Sequence, residues 1–154
     1  MRKYLPIALD MDGKNIVIIG GGRVALHKLA TLTQFCQRIT IIAPVIQPDI
    51  RAMDVSIIER EYKSTDLDNA FIVYAATNNS EVNKLIKKDA NEKKVLINVV
   101  DNSSLSDFIS PAVFKTHEAI ISVNSEGKQP VLSRDLKNYI KEHWNDFLSY
   151  RNRP

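Results

Sequence analysis

The residues of this 154-residue chain whose types and spacing could do chemistry are three glycines in the run NIVIIGGGRVALHKLATL and one aspartate, Asp101. Gly20, Gly22 and Ala25 satisfy the pattern G-x-G-x-x-A, with Gly21 between the first two. A first glycine allows a tight turn out of a strand, and a second lets backbone approach a pyrophosphate. A small third residue lets the following helix pack close to the strand. A helix starting there would offer free N–H groups and partial positive charge to phosphates. The apolar run before the loop and the amphipathic stretch after it supply the context this motif needs. The competing interpretation is a purely structural turn.

Asp101 follows the apolar run VLINVV, beyond the carboxyl end of an expected parallel strand, where open α/β sheets place their chemistry. A carboxylate there could give or take a proton beside a nicotinamide, or hold a metal through hard oxygen ligands. Asp-Asn-Ser-Ser is also ordinary turn chemistry. The end of the second strand should carry an acid for the adenosine ribose of NAD or an arginine for the 2′-phosphate of NADP. The chain reads ITIIAPVI there, with no acid before Asp49 and Arg51 as the nearest, late arginine. The bare rule therefore leaves the choice between the two cofactors open.

Other chemistry finds less support. His27, His117 and His143 fall on different elements without ligand spacing, so no resident metal is expected. The single cysteine, Cys36, excludes an intramolecular disulfide and is expected as a buried core thiol on the apolar stripe of a helix. SEGKQP, residues 125–130, is a glycine-containing helix entry that would suit an anion contact or simple capping.

The elements that must position these residues alternate. Ile16–Ile19 reads as a strand buried on both faces, and Arg23 to about Gln34 as a helix with Ala25, Leu29, Leu32 and Cys36 inward. Strands are expected at Ile39–Ala43, Val55–Glu59, Phe71–Thr77 and Val95–Val100, with a short Pro-started helical turn near Pro48–Ala52. A helix capped by Ser80 would turn Val82, Leu85 and Ile86 inward. This grammar implies right-handed crossovers and a Rossmann-like parallel sheet, an α/β fold. After Asp101 the pattern changes. FISPAVF and EAIISVNS read as a β-hairpin turning at KTHE. Pro130 then opens one long helix with Leu132, Leu136, Tyr139, Ile140, His143 and Phe147 on one face, suited to a dimer interface or to its own sheet. The expected division is residues 1–107 as a dinucleotide-binding domain and 108–154 as a dimerisation and substrate-cleft region.

Hydrophobic residues make up 44% of the chain and charged residues 25%, which is ordinary for a globular protein. A net charge of +3 is too small to argue for nucleic acid but does not repel an anionic substrate. No signal peptide or bilayer-spanning run is evident, so a cytoplasmic protein without membrane association is expected.

Together, YLPIALDMDGK, VIIGGGRVALHK, ITIIAP, YAATNNSEVN, INVVD, DFISPA and ISVNSEGKQPVLSR resemble precorrin-2 dehydrogenase, the NAD-dependent module of siroheme synthases. The stretches run in family order across nearly the whole chain. The resemblance implies oxidation of precorrin-2, a carboxylate-rich tetrapyrrole, to sirohydrochlorin with NAD as hydride acceptor, in a homodimer. It puts proton handling on Asp101 and cofactor binding on Gly20, Gly21, Gly22, Arg23, Val24, Pro44, Val45 and Thr77, with contacts after the second strand coming largely from backbone. Ser125, Lys128 and Arg134 would meet the substrate, with Lys115 from the same region. A departure from the family loop is Glu126, which replaces a glycine and would face an acidic substrate unless turned away. Two alternatives stand beside this one. One is a bifunctional enzyme that also acts as sirohydrochlorin ferrochelatase. The other is a non-catalytic NAD- or tetrapyrrole-binding module, against which the NVVD…FISPA set argues.

Overall fold

A computed structural model describes residues 3–100 and 102–151. The chain divides into one compact unit at Leu5–Phe108 and a second formed by 109–151 with residues 3–4.

The first unit is built on five parallel strands: β1 (Ile16–Ile19), β2 (Ile39–Ile42), β3 (Ser56–Ile58), β4 (Ile72–Ala75) and β5 (Leu96–Val99). Their order is β3-β2-β1-β4-β5, so the winding reverses between β1 and β4. That reversal is the switch point at which such sheets open a crevice. The register pairs Ile18 with Ile41 and Tyr74, and Tyr74 with Asn98.

Strand alternation sorts the β-branched side chains onto two faces. Ile16, Ile18, Ile39, Ile41, Ile72 and Tyr74 cluster with Ala25 and Leu29 of helix α1 (Arg23–Leu32) and Ile50 of helix α2 (Pro48–Arg51). Val17, Ile19, Ile42, Val73, Ala75, Ile97 and Val99 cluster with Ile86 and Ala90 of helix α3 (Ser80–Lys93). Helices thus cover both faces, as a parallel sheet requires.

The observed elements are shorter than the apolar runs suggest, and three expectations in this unit need correction. Asn79, not Ser80, caps α3: its side-chain oxygen accepts from the N–H groups of Glu81 and Val82. Asn79 has extended backbone, whereas Ser80 is the first helical residue. Leu85 is not inward but 48% exposed, while Ile86 is fully buried, because the apolar stripe of α3 is narrow. Cys36 is buried as expected but lies beyond the end of α1, with its sulfur 3.4 Å from the Lys14 carbonyl oxygen.

The second unit holds an antiparallel hairpin, β6 (Ala112–Lys115) and β7 (Ile120–Val123), against which helix α4 (Pro130–Glu142) packs. The long C-terminal helix is interrupted. Helix α5 (Trp144–Arg151) begins after His143, whose Nδ1 lies 2.9 Å from the Tyr139 carbonyl oxygen. Trp144 reaches back to Phe114 of β6, edge to face, with ring centroids 5.9 Å apart. Among the described residues from 109 onward, Ser133 alone is buried. Leu132, Leu136, Tyr139 and Phe147 of the anticipated apolar face are exposed. No helix among the described residues is long and apolar enough to cross a membrane.

Candidate functional site

Three turns meet at the carboxyl edge of the first unit's sheet, and the glycines decide how closely. Gly20 leaves β1 with its N–H donated to the Ile42 carbonyl at 2.9 Å. Its φ of +130° is one that side chains rarely adopt, and a Cβ there would lie 2.3 Å from the Ala76 carbonyl oxygen. A Cβ on Gly21 would lie 2.2 Å from the carbonyl oxygen of Val45. The Gly21 carbonyl also accepts from Gln47 N–H at 2.9 Å. The turn after β2, carrying exposed Pro44 and Val45, is thereby seated on the glycine loop.

Gly22 differs. It caps α1 with an extended backbone, and a Cβ there would meet nothing within 4 Å. No side chain caps α1, and its first turn holds no acid. Its leading N–H groups, at Arg23 and Val24, therefore lack the side-chain acceptor that most helices find. An uncapped helix start beside open space, with no negative charge in its first turn, fits the pyrophosphate of a dinucleotide.

The turn after β4 closes the third side. Ala76 N–H donates to the Ile19 carbonyl at 2.8 Å. The Thr77 hydroxyl donates to Asn83 Oδ1 at 2.7 Å, and Asn83 Nδ2 donates back to the Thr77 carbonyl at 3.1 Å. Asn83 is buried, and this reciprocal pair fixes Thr77 beside Gly20. The structure thus gathers Gly20, Gly21, Gly22, Val45 and Thr77 around one edge, with Arg23, Val24 and Pro44 adjoining.

Asp101 lies outside the described residues, but the chain on both sides of it is firmly held. Val100 N–H donates to the Ala75 carbonyl at 3.1 Å, and Asn102 N–H to the Val99 carbonyl at 3.1 Å. Farther on, the chain returns along the outer edge of β5. Asp107 exchanges bonds with Ile97, its N–H donating to the carbonyl at 2.8 Å and its carboxylate accepting the Ile97 N–H at 3.1 Å. Lys87 of α3 donates to the same carboxylate at 2.5 Å. Asn98 Nδ2 donates to the Phe108 carbonyl at 2.9 Å, while Asn98 Oδ1 is a buried oxygen without a partner among the described residues. Asn83, Asn98 and Asp107 fall within the stretches YAATNNSEVN, INVVD and DFISPA, but nothing in their types or spacing marks these three or Ser106 as site residues. The nearest sequence signal is the closeness of Asn98, Ser106 and Asp107 to Asp101.

On the same face, the ammonium of Lys28 lies over the ring of Tyr74, 5.6 Å from its centroid. Burial holds Lys28 below the usual lysine range.

Ser125, Lys128 and Arg134 lie in the second unit, in a tightly bonded helix entry. Ser125 Oγ accepts from Gln129 N–H at 2.8 Å and is bonded to the hydroxyl of Ser133 at 3.1 Å. Lys128 pairs with Glu126, and Arg134 with Asp135 at 2.9 Å. Glu126 adopts the left-handed conformation, φ +54°, consistent with a position that glycine would suit.

Comparison with known proteins agrees with this architecture. A family profile described as "Putative NAD(P)-binding" matches residues 7–112. Siroheme synthase of Photobacterium profundum is 36% identical over 142 residues, covering 90% of this chain and 30% of the relative. Siroheme synthase 1 of Aeromonas salmonicida is 33% identical over 142 residues, with the same coverage of 90% and 30%. The chain therefore spans about a third of the length of these relatives. Among solved structures, one titled "SirC, precorrin-2 dehydrogenase" superposes with a TM-score of 0.76 at 24% identity, covering 91% of this chain and 71% of that one. That likeness is one of fold. With the profile matched across the whole sheet and its glycine loop, the chain belongs to this NAD(P)-binding family.

Proposed function

We propose that this chain catalyses the NAD-dependent oxidation of precorrin-2 to sirohydrochlorin in siroheme biosynthesis. The observation that carries this reading is the extent of the likeness to siroheme synthases, 90% of the chain. That stretch takes in the glycine loop and the tethered segment around Asp101 alike.

In this reading Gly20, Gly21, Gly22, Arg23, Val24, Pro44, Val45 and Thr77 hold NAD at the sheet edge. The bound dinucleotide supplies the hydride acceptor. Oxidation removes one hydride and one proton from precorrin-2, giving sirohydrochlorin, NADH and H⁺. Asp101 takes that proton and passes it to solvent. Residues 1–107 form the cofactor domain, and 108–154 the dimerisation and substrate region. There Ser125, Lys128 and Arg134 meet substrate carboxylates by charge-assisted hydrogen bonds. On binding, Lys128 exchanges its Glu126 partner, and Arg134 its Asp135 partner, for a substrate carboxylate. The exposed apolar residues of α4 and α5 form the contact of a cytoplasmic homodimer.

Anaerobic incubation with precorrin-2 and NAD⁺ tests the reading. Sirohydrochlorin absorbance and NADH should appear in step. Folded protein that yields neither sinks it.

A further inference from the structure

We propose that the ion pair between Arg51 and Glu59 sets the preference for NAD over NADP, by engaging the cation a 2′-phosphate would need and opposing that phosphate with a carboxylate. The inference rests on the cofactor reading above and adds what enforces the choice.

The usual determinant of that preference is missing from its usual place. In this fold the end of the second strand carries an acid for the ribose hydroxyls or an arginine for the 2′-phosphate. Residues 43–47 are Ala-Pro-Val-Ile-Gln and offer neither. The structure brings candidates from two neighbouring elements instead. Ala43 N–H donates to the Ile58 carbonyl at 3.3 Å, so Glu59 leaves β3 alongside the Ala43–Pro44 exit of β2. Arg51 ends α2, immediately after the turn whose Val45 and Gln47 close on Gly21.

The two side chains meet fork to fork, Nη1 to Oε1 at 2.5 Å and Nη2 to Oε2 at 2.7 Å. The Nη1–Nη2 edge, one of the two that a phosphate could use bidentately, is thus engaged. The next arginine along, Arg60, is held in the same manner by Asp66, at 2.6 and 2.9 Å. A 2′-phosphate arriving here must displace Glu59 and remain beside its charge, whereas a 2′-hydroxyl must do neither. Both partners are 47% exposed, so the discrimination is graded rather than absolute.

The test is calorimetric titration of the full chain with NADH and NADPH, supported by the fluorescence change of the bound reduced nicotinamide. The wild type should bind NADH more tightly. Glu59→Gln frees Arg51 and removes the opposing charge, so the ratio of NADPH to NADH dissociation constants should fall about five- to tenfold. Arg51→Gln removes the cation and leaves Glu59 unmasked, so the ratio should rise. The double variant should lose the gain of Glu59→Gln. A ratio that stays within about twofold of wild type in both single variants overturns the proposal, as does movement in the same direction in both. A wild-type chain that binds neither dinucleotide sinks the cofactor reading instead. Binding of NADH with a flat ratio sinks the pair's role alone.

Discussion

The hydroxyl oxygen of Ser106 accepts a hydrogen bond from the backbone N–H of Val99 at 2.8 Å, out of contact with solvent. A side chain here does what a sixth strand would do. β5 is the edge of its sheet, and an unmet N–H there would be buried without a partner. Ser106→Ala should therefore cost about 1–3 kcal/mol, the penalty for orphaning a buried donor. Ser106→Thr keeps the acceptor and should recover part of the loss. Urea denaturation measures both. NADH affinity should change little in either, because the bond tethers the Asp101 segment rather than the glycine loop.

The glycine loop contrasts a packing glycine with a binding one. Gly21→Ala places a methyl against the Val45 carbonyl, and a loss of about 1–3 kcal/mol is expected from the forced backbone shift. Gly22→Ala meets no protein atom and should melt near the wild-type temperature. It should nonetheless weaken NADH binding by at least about tenfold, because backbone must approach the pyrophosphate closely at this position. Melting curves and NADH titration on the two variants separate the roles. Equal NADH affinity in Gly22→Ala and wild type would remove Gly22 from the cofactor site.

Asp101→Asn keeps the shape of the side chain and removes its proton acceptor. Turnover should fall by about 10²- to 10⁴-fold, the usual range for a lost general base. NADH affinity should stay within about twofold, since binding is assigned to the glycine loop. Stopped-flow oxidation of precorrin-2 beside an NADH titration reads the two effects apart. An unchanged rate would take Asp101 out of the chemistry while sparing the rest of the assignment.

Asp66 gives a pH dependence with a definite sign. Its side chain is 5% exposed, and burial alone pushes the carboxyl up. The Arg60 fork, the Lys63 N–H and the nearby positive charges outweigh that and hold it below the ordinary value of 3.8. A carboxyl lowered by folding adds stability above its unfolded value and loses it as pH falls through the folded one. Asp66→Asn should thus be less stable than wild type at neutral pH. The difference should narrow from about pH 4 downward. Denaturant midpoints of both proteins from pH 7 to pH 2.5 check this, and a gap independent of pH would exclude the charge as its source.

The sheet was legible because its signal is local. Ile16–Ile19 and Ile39–Ile42 are β-branched runs bounded by turn residues, and Gly20 marks the turn by type. The converging turns were legible only through the family resemblance, because Val45 meets the loop after one crossover of the chain and Thr77 after three. Choosing among Asn79, Ser80 and their neighbours as the α3 cap depended on backbone geometry, since several adjacent residues could serve chemically. The break at His143 had no glycine or proline to announce it. Ser106 and Asp107 look like ordinary loop residues until the edge they cover is known.

The second unit's shortage of interior leads to a different kind of stability. From residue 109 onward, Leu132, Leu136, Tyr139, Phe147 and Tyr150 are each 45% or more exposed, with no buried hydrophobic side chain among the described residues. In the proposed homodimer those surfaces find cover through mass action, so this unit's integrity depends on protein concentration. Its melting transition should rise as the protein is concentrated and fall on dilution, while the transition of the β1–β5 sheet stays put. Scanning calorimetry across a hundredfold range, about 1 to 100 µM, should resolve one moving and one fixed transition. The chain would then carry a fold that stands alone and a partner-dependent region whose order reports how many copies are present.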